Sequence, residues 1–154
     1  MTLDERREAV RSWREARCAE ACPTCPENCC EGRLTPRIDR MEGFAHLPLV
    51  RRPTDVRPLG EAYIIDRRVW RWGSCFLVGR CPHLDGERRC GLHGRNERPS
   101  ECSEFPLHVQ PVLGGAVLHI ERSCTIFDDE AAVAEARALA AQLGLGVVVN
   151  PRTR

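Results

Sequence analysis

The sequence predicts a small α+β fold: an N-terminal helix, a short antiparallel sheet and a C-terminal helix, with irregular connections between them. Three observations predict it. Apolar residues at helical spacing open the chain, an alanine-dominated stretch lies near its end, and short β-branched runs with glycine turns stand between. The length of 154 residues suits one domain and not two full ones, so residues 1–154 read as a single domain. Hydrophobic residues make up 42%, but ten of them are cysteines and only three Trp, one Tyr and four Phe are aromatic, which leaves a lean core.

The first element is an amphipathic helix from residue 3 to about 21. Leu3, Val10, Trp13, Ala16 and Ala21 lean to one side, and Glu8 and Glu15 pair with Arg11 on the other. Thr2 or Asp4 starts it, and Pro23 and Pro26 end it because proline lacks the amide proton a helix interior uses. Cys22 to Pro36 is too poor in apolar groups to pack by itself, and residues 37–60, with Pro48, Pro53 and Pro58, read as a connector. Ala62–Val69 and Cys75–Val78 have strand character and join near Gly73. A second cysteine-bearing loop region runs from Arg80 to Glu104. Leu107–Leu113 and Ala116–Glu121 flank Gly114-Gly115, a two-residue hairpin turn with positive φ expected at both glycines, and Pro111 puts that hairpin at a sheet edge. Asp128 to Leu143 is the strongest helix, with Asp128 or Asp129 as cap and Gly144 just past its end, and a Val147–Val149 strand follows. The cysteine-bearing region is thus 22–124, and 126–154 is a C-terminal helix and tail.

Charge narrows the function. There are 23 basic and 22 acidic residues, a net charge of +1, which excludes a generic polyanion binder. Every basic residue is Arg, so no lysine Schiff base or lysine general base exists. The run Arg67-Arg68-Val69-Trp70-Arg71-Trp72, with Arg51, Arg52 and Arg57, mixes cations and aromatics. It reads as a solvated strand face, with no nucleic acid as partner. Met1 to Arg17 carries charges throughout and no apolar stretch of signal-peptide length, and no window approaches the roughly 18 apolar residues of a membrane span. The expected setting is cytoplasmic, with no membrane partner. There thiols stay reduced, and clustered cysteines bind metal or do redox chemistry.

Ten cysteines are the dominant signal. The first group is Cys18, Cys22, Cys25, Cys29 and Cys30, in CAEACPTCPENCC. A Cys-x2-Cys pair aims two thiolates at one ion across a tight turn, a half-site for zinc or an iron–sulfur cluster. Adjacent Cys29 and Cys30 diverge, which favours a polynuclear site or two nearby sites. Cys81, Cys90 and Cys102 form the second group, with Cys124 after the hairpin; four here and four at Cys22–Cys30 suffice for two closed four-thiolate sites. Cys75, inside an apolar strand, reads as a plain buried cysteine, and Cys18, on the last turn of the helix, reads equally as ligand or as structure. A four-thiolate zinc site is worth about 10–16 kcal/mol in small peptides, as much as the roughly 5–15 kcal/mol stability of a whole domain. The expected fold is therefore an irregular, cysteine-rich, metal-stapled domain.

The ordered set Cys22-x2-Cys25-x3-Cys29-Cys30, Cys81-x2-Leu84, Cys90-x-Leu92, Arg98-Pro99-x2-Cys102 and Phe105-Pro106 resembles the YkgJ-type CxxCxxCC cysteine-cluster family, described as zinc- or iron-chelating proteins with eight shared cysteines. The resemblance covers roughly residues 22–124. It implies metal roles for Cys22, Cys25, Cys29, Cys30, Cys81, Cys90 and Cys102, with Cys124 a looser match. The first cluster departs from the family pattern by a three-residue second gap, and Ser103 follows Cys102 where an Arg is common.

Rival readings exist. Cys18-x3-Cys22-x2-Cys25 has radical-SAM spacing, but no strand precedes it and no glycine-rich loop follows. Cys22-Pro-Thr-Cys25 resembles a redox dithiol, but such a thiolate needs a helix N-terminus, and this pair follows a helix. His83 and His93 lie at ligand spacing from Cys81 and Cys90, although eight thiolates make loop histidines the simpler reading. The expected activity is binding of zinc or iron, including an iron–sulfur cluster, with no catalytic residue. The alternatives are a metal- or iron–sulfur-dependent protein-modifying enzyme, as among larger relatives implicated in methylating flagellin lysines, or a metal-delivery or accessory module for a protein partner. Spacing does not separate zinc from iron, because thiolates suit both; adjacent cysteines tilt it slightly toward iron.

Overall fold

A computed structural model describes residues 1–32, 34–52, 62–69 and 72–152. In chain order its elements are α1 (Leu3–Ala21), β1 (Arg37–Ile38), β2 (Leu49–Val50), β3 (Tyr63–Val69), β4 (Trp72–Val78), α2 (Ser100–Glu104), β5 (Leu107–Val112), β6 (Gly115–Glu121), α3 (Glu130–Gln142) and β7 (Gly146–Asn150), with 3-10 turns at Cys22–Thr24, Cys29–Glu31, Glu42–Phe44 and Thr125–Asp128. The α+β class holds. Residues divide into two compact units, one made of Met1–Ala21 with Glu104–Arg154, the other of Cys22–Ser103.

In the first unit, α1 begins at a reciprocal capping box. The Glu5 amide donates to Thr2 Oγ1 at 3.2 Å, and the Thr2 amide donates to the Glu5 carboxylate at 2.6 Å. The helix buries Val10 and Arg14. Burying a guanidinium is costly unless it is bonded, and Arg14 Nη1 donates to the Leu107 carbonyl at 3.0 Å. Trp13 stacks on Phe127 with centroids 6.4 Å apart, and Arg17 covers the Trp13 ring and pairs with Glu135. The sheet runs β5-β6-β7, with β5–β6 antiparallel and β6–β7 parallel. Leu107, Val109, Leu118 and Ile120 share its buried face and form one core with Phe127, Val133, Ala136 and Ala140. Asp129 caps α3 by accepting from the Ala131 amide at 2.9 Å, and Gly144, at φ +63°, turns the chain out of the helix.

The second unit holds the sheet β1-β4-β3-β2, antiparallel except for the parallel β2–β3 edge. Its core is Ile38, Phe44, Ala62, Ile64, Leu77 and Leu92, with Cys75, Cys81 and Cys90 packed against it.

Several expectations change. Among the described residues there are two mixed sheets rather than one antiparallel sheet: α3 carries the chain from β6 back to a strand running the same way, and β2 pairs parallel with β3 in the other. β4 begins at Trp72, so Gly73 pairs with Arg68 inside the hairpin rather than turning it. Gly114 alone of the two turn glycines takes positive φ, at +83°. Among the described residues β5 pairs only with β6, so Pro111 does stand on an edge strand. Pro53, Arg57 and Pro58, and the side chains of the Arg67–Trp72 run, lie outside the described residues. No helix among the described residues is long and apolar enough to cross a membrane.

Candidate metal centre

Prolines and a single asparagine shape the loop of the first cysteine group. Cys22 opens one 3-10 turn, and the Cys25 amide returns to the Cys22 carbonyl at 3.3 Å. Cys29 and Cys30 sit in the next turn, capped by Asn28. Asn28 is 5% exposed and uses both ends of its amide: Oδ1 accepts from the Cys30 amide at 3.0 Å, while Nδ2 donates to the carbonyls of Cys22 at 3.1 Å and Arg88 at 3.2 Å. Gly32 ends the turn at φ +98°. A Cβ there would lie 3.2 Å from the backbone of Gly79, so both conformation and space call for glycine.

The second loop, from Cys81 to Cys90, is a tight reversal. Leu84 bridges Cys90 in antiparallel fashion and the Gly91 amide donates to the His83 carbonyl at 2.7 Å. At its tip Asp85 Oδ1 accepts from the amides of Glu87 and Arg89. Arg88 holds φ +61°, and its side chain turns back to the first loop, donating to the carbonyls of Pro23 and Cys25 and forming a two-point pair with Glu31. Asn28 and Arg88 therefore fasten the two cysteine loops to each other. Neither was singled out from sequence. Asn before a turn is a readable capping signal, whereas nothing in the sequence marks a positive φ at Arg88.

Cys30 and Cys81 touch at this junction. The Cys81 amide donates to the Cys30 carbonyl at 2.7 Å, and the Cys30 and Cys81 side chains hydrogen-bond each other. Amides of His83 and Leu84 donate to the Cys81 sulfur and that of Leu92 to Cys90, placing backbone dipoles where a thiolate is favoured. The bond from Cys30 and these amides bring Cys81 down to about 6, and the same bond and burial push Cys30 up. Burial pushes Cys29 up to about 12, with Cys22, Cys25 and Cys102 adding charge repulsion. Cys102, on α2, is pushed up to about 12 by burial, with Arg98 opposing and Cys81 and Cys90 adding to the rise. Cys90 is raised mainly by burial. Cys22, Cys25, Cys29, Cys30, Cys81, Cys90 and Cys102 thus act electrostatically on one another within one unit.

The remaining sequence candidates are placed as follows. Cys124 is 9% exposed, in the apolar core of the first unit, and Cys18 is on α1. Cys75 packs beside the second unit's core. His93 is exposed, and His83 bonds the Gly43 carbonyl through Nε2 with its ring edge-on to Phe44.

No disulfide joins any of the ten cysteines. Among the described residues, no three Cys, His, Asp or Glu side chains are arranged to hold an ion as they stand. The donor chemistry nevertheless fits a thiophilic cation. Cys29 and Cys102 resist ionisation because of burial and repulsion from neighbouring sulfurs, and a positive ion relieves both penalties. Without a metal, the Cys30 thiol donates to the Cys81 sulfur, so these two satisfy each other.

A family model described as "CxxCxxCC: Putative zinc- or iron-chelating domain" matches residues 21–125, which takes in the whole Cys22–Cys102 constellation. No curated protein matches the chain, and no solved structure does. The match spans well over half of the sequence and supports a metal ion as ligand. The chain belongs to the CxxCxxCC family of zinc- or iron-chelating domains.

Proposed function

We propose that the Cys22–Ser103 unit is a thiolate metal centre that stabilises its own fold, with Cys22, Cys25, Cys29, Cys30, Cys81, Cys90 and Cys102 as the ligand set. The observation that carries this reading is the fastening of the Cys22–Cys30 and Cys81–Cys90 loops to each other by Asn28, Arg88 and the Cys81 amide on the Cys30 carbonyl. Seven donors exceed one four-ligand zinc shell, which favours a polynuclear centre, either an iron–sulfur cluster or two ions sharing a sulfur. When bound, the metal supplies positive charge that replaces thiol protons and ties chain segments distant in sequence. The protein supplies amide dipoles at Cys81 and Cys90 and the Arg98 charge near Cys90 and Cys102. Nothing in the proposal depends on Cys124. A reducing, cytoplasmic setting suits thiols in this state.

Anaerobic purification of the full chain tests this. The reading expects stoichiometric zinc or iron. A brown sample absorbing at about 400 nm identifies an iron–sulfur cluster, and a colourless one with zinc identifies a zinc centre. Chelation then lowers the melting temperature. A preparation without either metal, whose melting is unchanged by added zinc or iron, overturns it.

A further inference from the structure

We infer that the solvent side of the β5–β6–β7 sheet carries a second metal site of different chemistry, in which His108 and His119 chelate a divalent d-block cation such as zinc. His108 and His119 stand directly opposite each other on antiparallel strands. Their neighbours Leu107, Val109, Leu118 and Ile120 face the core, so strand alternation turns both imidazoles to the other face, where each remains partly exposed. The rings lie parallel within 5° with centroids 4.5 Å apart, close enough for small side-chain rotations to bring one nitrogen of each to a common ion. Glu121 follows His119 on the same face, and Asn150, its cross-strand partner, donates to its carboxylate. The same Asn150 amide lies 3.4 Å from Nδ1 of His119, a contact long enough to yield to a cation.

No three ligand-type side chains among the described residues are arranged around an ion as they stand, so the site is a two-imidazole chelate completed by water. Imidazole pairs suit zinc, nickel and copper rather than calcium or magnesium. The site uses no cysteine, and it stands or falls separately from the thiolate centre.

The test titrates the full chain with Zn2+ beyond saturation of its thiols at neutral pH and follows imidazole nitrogens by long-range 1H–15N NMR. One further ion per chain is expected, shifting the ring nitrogens of His108 and His119 together. His108→Gln and His119→Gln each weaken this step at least about 10-fold. Shifts confined to His46, His83 or His93, or binding unchanged in His119→Gln, overturn the inference. If a variant does not fold, the wild-type ring shifts decide: movement of both rings supports the site, and their silence excludes it.

Discussion

Cys30 is joined to Cys81 twice, through the Cys81 amide on the Cys30 carbonyl at 2.7 Å and through a hydrogen bond between the two thiols. Fifty residues of sequence are closed at this one point, and the Cys22–Cys30 and Cys81–Cys90 loops meet there. On the proposed reading both sulfurs are ligands, whereas Cys75, on β4, is not. Cys30→Ser and Cys81→Ser should each weaken metal retention at least about 10-fold in competition with a chelator. Cys75→Ser should leave it unchanged. Equal retention in all three variants would remove this pair from the centre.

Asn28 carries more of the loop architecture than its size suggests, since one buried amide satisfies the Cys30 amide and two carbonyls. Asn28→Ala removes a cap and leaves those groups without it, at a cost of about 2 kcal/mol. Urea unfolding of the metal-loaded protein measures this, and a loss below about 0.5 kcal/mol would mean that the cap is dispensable.

Gly32 combines φ +98° with a Cβ position 3.2 Å from the Gly79 backbone. Gly32→Ala should cost about 1–2 kcal/mol, through strain at that φ and displacement of the Gly79 segment. The control is Gly86→Ala. Nothing lies within 4 Å of a Cβ at Gly86, so that variant should be nearly neutral.

Much of this was legible in the sequence, and the rest was hidden for identifiable reasons. Helical spacing and prolines placed α1 from Leu3 to Ala21, and the spacing from Cys22 to Cys102 marked a run of cysteines that all fall in the second unit. Strand runs at 62–69 and 147–149 were visible, but partners are not written in a run: β7 pairs parallel with β6 because of where α3 returns the chain. The first unit draws on both ends of the sequence, a union that depends on long-range burial, such as Val10 in one core with Leu107 and Phe127. Cys124, the looser match of the set, lies one residue before the Thr125–Asp128 turn that buries Phe127. Arg88 was invisible as a fastener, because its role follows from a left-handed backbone angle.

Thiol ionisation gives a pH signature. Cys29 and Cys102 are pushed up to about 12 from an ordinary 9.0, mainly by burial. A raised folded value contributes stability below the unfolded value and loses it as pH climbs toward the folded one. Stability remaining in the metal-free, reduced protein should therefore decline from about pH 9 to about pH 12. Cys81, lowered to about 6, acts the other way, adding stability as pH rises from about 6 to about 9. The urea midpoint of metal-free protein should thus peak at about pH 9. Bound metal should flatten the alkaline limb, because its ligands are already deprotonated. A midpoint that keeps rising above that pH would contradict the burial assigned to Cys29 and Cys102.

The most direct measurement is metal K-edge X-ray absorption on the anaerobically purified full chain. Sulfur-dominated coordination is predicted, at about 2.3 Å if the ion is zinc, and it should lose sulfur scatterers in Cys81→Ser. A first shell of nitrogen and oxygen alone would contradict the claim that these thiols grip the metal.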